Sequence, residues 1–249
     1  MVGVLVPMPE EIALILSEMI VLKKSTIGKR DFYVGELAGK ECVVALSRIG
    51  KVASAVTAAM MIQTFGVDKI ILTGAAGAID EKLKIGDLVV ASSTIQHDMD
   101  CSPLFPRFEA PLLGISNFSC DIEMVNKAHF AFQNMVMDGK FNFLNEPETK
   151  QFSLNDVKVF IGTIASGDQF IKSFNHSLMI KTLIPDALCV EMEAGAVGQV
   201  CYEYDVPFVV LRTISDLANH KANVDFVQFV EKVVSPITLQ MVLKLLASL

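Results

Sequence analysis

The sequence predicts a three-layer α/β sandwich, and three observations support this fold class. Short apolar, β-branched runs alternate along the chain with longer segments of helical periodicity, an order typical of strands connected by helices. Two of the runs, 70–72 and 208–211, are hydrophobic at every position, as expected for strands covered on both faces. The chain has 249 residues, of which 52% are hydrophobic, which suits a single domain spanning 1–249.

The predicted strands are short runs rich in Val, Ile, Phe and Thr. They cover 2–6, 32–37, 42–46, 69–73, 88–95, 157–164, 187–191 and 207–213. The predicted helices repeat apolar residues every three or four positions, and the first begins at Pro9, a residue suited to a first helical turn. They cover 9–22, 52–65, 121–137, 175–183, 194–204 and 226–246. Two irregular stretches, 98–119 and 138–156, are predicted to be loops.

The composition disfavours several classes of partner. A formal net charge of -7 without a run of Lys and Arg argues against nucleic acid, because binding to it rests on neutralising phosphates. No stretch approaches the roughly 18 apolar residues of a membrane span, so no membrane partner is expected. The five cysteines are odd in number and form no Cys-x-x-Cys pair, which is typical of reduced thiols in a cytoplasmic protein.

Carboxylates lie at the ends of two predicted strands. Glu10 and Glu11 occupy the first turn of the helix after the first strand, where acidic residues often only complement the helix dipole. Glu191 and Glu193 mark the end of the strand 187–191, and side chains two residues apart share a face while the chain is extended. Buried carboxylates need hydrogen-bonding partners. The paired hydroxyls of a ribose are suitable partners, and a solvated strand end is the alternative.

The last predicted strand leads into Arg212, Ser215 and Asp216. Ligands of α/β proteins bind at the carboxyl ends of strands, so this position favours a functional site. An aspartate there either caps the following helix or protonates a leaving group.

Three further segments have weaker patterns. Phe170 and Ile171 follow the strand 157–164 and offer either an aromatic face for a planar base or two core residues. The small residues of 74–78 allow a close backbone approach, but they lack the spacing of a dinucleotide or P-loop site. His97, Asp98 and Asp100 are too few to make a metal site without further ligands, so no metal is expected.

Eight segments in order resemble those of the 5′-methylthioadenosine/S-adenosylhomocysteine nucleosidase family, within the purine nucleoside phosphorylase superfamily. They span residues 2–216 and read V-G-V-L-V-P-M-P-E-E, S-R-I-G-K-V-A-S-A, T-G-A-A-G-A-I-D, L-K-I-G-D-L-V-V, Q-H-D-M-D, S-G-D-Q-F-I, V-E-M-E-A and V-V-L-R-T-I-S-D. The resemblance implies an α/β/α sandwich around a mixed central sheet. It also implies hydrolysis of the N-glycosidic bond of 5′-methylthioadenosine and S-adenosylhomocysteine, and of 5′-deoxyadenosine, without any cofactor, as a step of methionine salvage and nucleoside catabolism.

The resemblance implies a role for each matching residue. Glu11 corresponds to the base that deprotonates the attacking water, Asp216 to the acid that protonates adenine N7, and Glu193 to the carboxylate that binds the ribose hydroxyls. The remaining substrate-binding positions are Glu191 and Met192 at the ribose, Arg212 and Ser215 near the acid, Phe170 and Ile171 at the adenine, Ala75 in the small-residue segment, and Met8, Ile49 and Phe226 around the 5′-alkylthio group. The family also implies a homodimer in which the loop 101–113 completes the partner's pocket.

Two positions depart from the family pattern. Ala75 stands where a serine is usual, so one ribose-side hydrogen bond is missing or replaced. Arg48 stands beside Ile49 where a glycine is usual. Its guanidinium either reaches the outer end of the substrate, where S-adenosylhomocysteine has a carboxylate, or points away to pair with an acid.

Other functions remain open on the sequence alone. A phosphate-dependent nucleoside phosphorylase of the same fold needs a cluster of arginines, and this chain has four arginines in separate segments. An aminofutalosine hydrolase shares the same active-site pattern. A non-catalytic binding protein of this fold is expected to have lost its carboxylates, yet Glu11, Glu193 and Asp216 are all present.

Overall fold

A mixed sheet of 10 strands forms the middle layer of the protein. The computed structural model describes residues 1–136, 141, 143–154, 156–218 and 226–249, without the side chain of Phe226. The strands are β1 (Val2–Val6), β2 (Ile20–Ile27), β3 (Arg30–Leu37), β4 (Lys40–Leu46), β5 (Lys69–Ala78), β6 (Leu88–Gln96), β7 (Asn117–Ser119), β8 (Val159–Ser166), β9 (Ala187–Glu191) and β10 (Phe208–Asp216).

The sheet is open at one end and closes into a ring at the other. Its order is β10-β6-β8-β9-β5-β1-β4-β3-β2, with β7 beside β6, and β5 pairs a second time with β10. β1 runs parallel to β4 and β5, and β5 runs parallel to β10, whereas β2, β3 and β4 are antiparallel neighbours. The ring therefore brings together strand ends that are far apart in sequence.

Helices cover the sheet on both sides. They are α1 (Pro9–Glu18), α2 (Lys51–Phe65), α3 (Ile122–Met135), α4 (Glu146–Gln151), α5 (Phe174–Leu183), α6 (Ala194–Glu203), α7 (Phe226–Phe229) and α8 (Ser235–Ser248), with a π-helical turn (Val230–Val234) between the last two. α2 packs against α6, and α8 packs against both α1 and α3. The predicted three-layer sandwich with a mixed sheet is confirmed, and the runs 70–72 and 208–211 are buried on both faces as expected.

The first predicted helix, 9–22, was extended too far. α1 ends at Glu18, and Met19 already has extended backbone angles of φ -87° and ψ 133°. Ile20 opens β2, an exposed strand that pairs antiparallel with β3 and carries a bulge between Val21 and Lys23. Helical periodicity in a single segment does not report such long-range pairing, so β2 was not predicted from the sequence.

The small-residue segment 74–78 continues a strand rather than leaving it. β5 runs to Ala78, beyond the predicted end at 73, because β10 pairs alongside it as far as Gly77. Gly74 has a φ of 148°, and a Cβ atom there would lie 2.3 Å from Nη1 of Arg212. The absence of a side chain at Gly74 thus makes room for a buried arginine.

The C-terminal segment and the long loops also differ from prediction. The predicted helix 226–246 is interrupted by the π-helical turn, and the predicted loop 98–119 ends in the short strand β7. α3 ends at Met135, and the predicted end at 137 lies outside the described residues. In the loop 101–113, Leu104 and Leu112 are 83% and 88% exposed, whereas Phe105, Phe108 and Leu113 are half-buried.

Across the described ranges, no helix combines the length and hydropathy that a membrane crossing demands. The five thiols are free, and all but that of Cys101 are buried.

Candidate active site

A cavity of about 150 Å³ lies where β1, β5, β8, β9 and β10 end or approach their ends. Ten of the thirteen predicted site residues line it, namely Met8, Ile49, Ala75, Phe170, Ile171, Glu191, Met192, Glu193, Ser215 and Asp216. Pro7, Ala76, Gly77, Gln169 and Val190 complete the wall. None of these wall residues is a lysine or an arginine.

Arg212 joins the carboxylates of Glu191, the last residue of β9, and Glu193, just after it. Its guanidinium is fully buried, and Nη2 donates to Oε2 of Glu191 and, at 3.2 Å, to Oε2 of Glu193. Nη1 donates to the carbonyl of Thr73 at 2.7 Å. Burial by itself lowers the pKa of Arg212, but the nearby carboxylates more than offset this, so its pKa is raised and the cation is retained. Arg212 therefore supports the cavity wall from behind.

Glu191 serves as the structural member of the carboxylate pair. It accepts hydrogen bonds from the Ser166 hydroxyl and from the backbone N–H groups of Glu193 and Ala194, at 3.1 and 3.0 Å for the latter two. With Arg212 added, its oxygens are well supplied with donors. A carboxylate held by this many donors is fixed in one orientation.

Glu193 is the member of the pair with contacts to a second loop. Its Oε1 accepts from the backbone N–H of Gly50 at 3.0 Å, which ties it to the segment that carries Ile49. Burial and the neighbouring Glu191 raise the pKa of Glu193, while Arg212 lowers it. A ribose diol would supply the donors that such a buried carboxylate favours.

Asp216 ends β10 with its carboxyl group oriented by two donors. Oδ2 accepts from the Ser215 hydroxyl at 2.9 Å, and Oδ1 accepts from the backbone N–H of Ala218 at 2.8 Å. Burial raises the pKa of Asp216, although both hydrogen bonds oppose the shift. A raised pKa favours the protonated carboxyl group, which is the form that can donate a proton to a leaving group.

Glu11 lies in the first turn of α1 but is completely buried. Its position thus differs from that of a surface acid that merely complements the helix dipole. Burial raises its pKa to about 7, with Arg212 and the Thr238 hydroxyl opposing the shift. A carboxylate with a pKa near neutrality is suited to act as a general base.

Apart from Gln169, the side chains of the remaining wall are apolar. Phe170 and Ile49, at opposite loops, are 49% and 55% exposed and form part of the cavity lining with Met8 and Ile171. Aromatic and aliphatic surfaces of this kind bind planar rings and alkyl groups by burial. The cavity therefore combines an apolar surface with a set of buried carboxylates.

Three predicted site residues lie outside the cavity wall. Glu11 and Arg212 are buried behind it, and the side chain of Phe226 lies outside the described part of the structure. Ala75 lines the cavity and offers no hydroxyl there. The guanidinium of Arg48 donates to the carbonyl of Lys29 and is absent from the wall, so it points away as one interpretation expected, with a carbonyl instead of an acid as its partner.

A set of polar contacts between three site loops was not predicted from the sequence. Lys51 Nζ donates to Asp98 at 2.7 Å and to Gln96 at 3.1 Å. The backbone N–H of Lys51 donates to Asp168, and that of Asp168 donates to Asp98. Lys51 and Asp98 belong to the segments S-R-I-G-K and Q-H-D-M-D, so their presence was visible, but their pairing was not.

Asp98 is thus engaged by a cation and an N–H group and is not poised as a metal ligand. Within the described residues, no three His, Cys, Asp or Glu side chains are grouped so as to hold a metal.

Comparisons with known proteins agree with this architecture. The model of the phosphorylase superfamily matches residues 1–247. A 5′-methylthioadenosine/S-adenosylhomocysteine nucleosidase of Staphylococcus carnosus (strain TM300) is 34% identical over 250 residues, covering 100% of both chains. The solved nucleosidase of Neisseria meningitidis, in complex with methylthio-immucillin-A, is 33% identical with a TM-score of 0.86, covering 100% of this chain and 99% of that one. The futalosine hydrolase of Helicobacter pylori strain 26695 is 32% identical with a TM-score of 0.82, covering 100% and 97%.

Proposed function

The chain belongs to the 5′-methylthioadenosine/S-adenosylhomocysteine nucleosidase family of the phosphorylase superfamily, and from that premise we propose that it is an N-glycosyl hydrolase of these two nucleosides. Its products are adenine and the corresponding thioribose. The observation that carries the proposal is a cavity lined by the buried carboxyl groups of Glu193 and Asp216, with that of Glu11 buried behind the wall and no cationic side chain in the wall itself.

Asp216 acts on the leaving group. Adenine leaves poorly as an anion, so the reaction needs a proton at N7 as the bond to the sugar breaks. The carboxyl group of Asp216 lines the cavity, is oriented by Ser215 and Ala218, and has a raised pKa. Catalysis by such an acid contributes typically ~10²–10⁴-fold to the rate.

Glu193 stabilises the sugar. Cleavage of a glycosidic bond passes through a transition state in which the sugar resembles an oxocarbenium ion. Glu193 lies in the cavity wall and is fixed by Gly50 and Arg212. Hydrogen bonds from the ribose hydroxyls to this carboxylate strengthen as positive charge develops on the ring, in the manner of other preorganised electrostatic groups. Glu191 and Met192 border the same part of the cavity.

Glu11 takes a proton from the attacking water. It follows Pro7 and Met8, which line the cavity, and its Oε2 has no hydrogen-bonding partner among the described residues. A base with a pKa of about 7 is half ionised at neutral pH and largely ionised above it. Because the reaction needs Glu11 ionised and Asp216 protonated, its dependence on pH is bell-shaped.

The adenine ring and the 5′ group of the substrate bind to the apolar part of the cavity wall. Phe170 offers an aromatic face for the adenine ring with Ile171 beside it, and Met8 and Ile49 provide apolar surface for the 5′-alkylthio group. Phe226 is proposed to join the latter pair on the resemblance alone. Ala75 leaves the cavity without the hydroxyl that is usual at this position.

The contacts that the arginines make favour hydrolysis over phosphorolysis. Arg212, the arginine nearest the cavity wall, is committed to Glu191, Glu193 and Thr73. Arg30 donates to Thr57 and to two backbone carbonyls, and Arg48 donates to the carbonyl of Lys29 in the turn between β2 and β3. A phosphate co-substrate would have no cation to meet it in the wall.

We also propose a homodimer, a cytoplasmic location and a role in methionine salvage. The exposed leucines of the loop 101–113 support the dimer, because soluble monomers rarely expose grouped apolar side chains. The free thiols favour a reducing compartment. The match of the family model to 1–247 supports a single domain spanning 1–249.

A substrate panel tests the proposed function. Purified protein is incubated with 5′-methylthioadenosine, S-adenosylhomocysteine, 5′-deoxyadenosine and aminofutalosine, and release of the base is followed by chromatography. We expect adenine from the first three substrates, with the two thio-nucleosides preferred by kcat/KM. Activity confined to aminofutalosine would make the protein a futalosine-type hydrolase, and no release from any substrate would contradict a nucleosidase.

A further inference from the structure

A hydroxyl from the last helix is hydrogen-bonded to Glu11. Thr238 Oγ1 donates to Glu11 Oε1 at 3.0 Å across 227 positions of sequence. Both residues are fully buried. Among the described residues the other oxygen, Oε2, has no hydrogen-bonding partner. The two oxygens of this carboxylate are therefore in different environments.

We propose that Thr238 is a positioning residue that holds Oε1 of Glu11 and leaves Oε2 to accept the proton of the attacking water. The proposal rests on the proposed function, since it specifies how the base of that reaction is oriented. A carboxylate without such a partner would rotate freely about the bond that joins it to the side chain. Neither of its oxygens would then be held toward the attacking water.

The fold supports this contact with an irregular helix. α8 packs against α1, the helix that carries Glu11. It follows the π-helical turn Val230–Val234, and Ser235 Oγ at the start of α8 donates to the carbonyl of Val230 at 2.8 Å. A π-helical turn inserts a residue and so rotates the face that the following helix presents. The hydroxyl of Thr238 donates to a distant carboxylate, although a threonine in a helix commonly donates to its own helix.

Charged groups on three elements act on the same carboxyl group. Arg212 on β10 and the Thr238 hydroxyl on α8 lower the pKa of Glu11, as does the backbone at Met8, whereas burial and Glu10 on α1 raise it. When the Thr238 hydroxyl is lost, one of the groups that lower the pKa of Glu11 is removed, and the effect of burial on that pKa is less opposed. The pKa of Glu11 then rises, and a higher pH is needed to ionise the base.

The first test measures the pKa of Glu11 directly and does not depend on enzymatic activity. The side-chain carboxyl carbons of glutamate are labelled with ¹³C, the Glu11 signal is assigned with Glu11→Gln, and its pKa is measured by NMR titration. We expect Thr238→Val to raise that pKa by about one unit, the scale of one hydrogen bond to a charged group. Thr238→Ser, which keeps the hydroxyl, should leave the pKa near the wild-type value.

Thr94→Val is the matched control. Thr94 is also fully buried, but its hydroxyl has no hydrogen-bonding partner among the described residues and it lies on β6. Loss of the Thr94 hydroxyl should leave the pKa of Glu11 unchanged. An unchanged Glu11 pKa in Thr238→Val would overturn the proposal whatever the activity of the protein.

The second test is the pH profile of kcat/KM for adenine release. With the pKa of the base shifted by one unit, the ratio of wild type to Thr238→Val should be about tenfold at pH 6 and close to one above about pH 9. A ratio that is the same at every pH would mean that Thr238 is only structural, and it would overturn the proposal. A wild-type protein that releases no adenine would refute the proposed function instead, while the NMR titration still decides the hydrogen bond.

Discussion

Glu11 has a carboxyl group whose ionisation opposes folding. Its pKa is raised from 4.5 to about 7, so the folded protein holds the neutral form more tightly than the unfolded chain does. The folded state is therefore penalised progressively as pH rises from about 4.5 to about 7, and the full penalty remains above that range. Activity needs the ionised form, so stability and catalysis conflict at this residue.

The substitution Glu11→Gln should separate the two effects. We expect turnover to fall at least ~100-fold because the base is lost. The free energy of unfolding at pH 8 should nevertheless increase by up to about 3 kcal/mol, and the gain should vanish below about pH 4.5. Urea unfolding at both pH values measures this. Glu18→Gln, on the exposed side of the same helix, is the control, and a Glu11→Gln protein less stable than wild type at pH 8 would refute the argument.

The substitution Asp216→Asn should remove acid catalysis while it preserves the size of the side chain. Asp216→Asn retains an oxygen for the Ser215 or Ala218 donor but has no carboxyl proton to give. We expect kcat to fall at least ~100-fold with little change in binding of the nucleoside. Steady-state kinetics measure both quantities, and Asp186→Asn, at an exposed position, should be unaffected. More than about a tenth of wild-type turnover in Asp216→Asn would exclude it as the acid.

Site residues that lie at the end of a single strand were predictable from the sequence. Contacts between elements that are distant in sequence were not. The carboxylates at 191, 193 and 216 follow apolar runs, so their location at strand ends was readable. Thr238 gave no such signal, because its partner lies 227 positions away. The strand β2 was missed for the same reason, since its hydrogen bonds go to β3 and its own pattern continues the apolar periodicity of α1.

Three loops of the site act as one unit through Lys51, Asp98 and Asp168. The ion pair between Lys51 and Asp98 has side chains only 16% and 29% exposed. Burial raises the pKa of Asp98, but the hydrogen bonds from Lys51 and from the backbone N–H of Asp168 outweigh it, so the pKa of Asp98 is lowered. The loops that carry Ile49 and Phe170 are thereby fixed relative to each other before substrate arrives.

Asp98→Asn should loosen this arrangement. The apolar residues that bind the nucleoside would be less well ordered, so we expect kcat/KM to fall by about tenfold, mainly through KM. The matched control is Asp156→Asn, which removes an exposed ion pair with Lys84 away from the cavity and should have little effect. An unchanged KM in Asp98→Asn would show that the three loops hold their positions independently.

Considered as a unit, the molecule exposes apolar side chains at its loop 101–113. If a second subunit covers Leu104 and Leu112, light scattering should give twice the mass of the 27.2 kDa chain. The double variant Leu104→Glu, Leu112→Glu should then dissociate and lose affinity for the nucleoside. Leu22→Glu, at another exposed leucine on β2, is expected to leave the dimer intact. A wild-type monomer at active concentrations would contradict the homodimer.

Closure of β5 onto β10 gives the molecule a cavity with carboxylates on its wall and its nearest guanidinium behind it. The residues that line this cavity include no lysine or arginine to bind a phosphate, so water is the expected nucleophile. The deciding measurement follows 5′-methylthioadenosine in phosphate-free and phosphate-containing buffer, with adenine quantified and the sugar examined by ³¹P NMR. We predict equal rates and methylthioribose without phosphorus in both buffers. Adenine release that requires phosphate and yields a sugar phosphate would contradict hydrolysis.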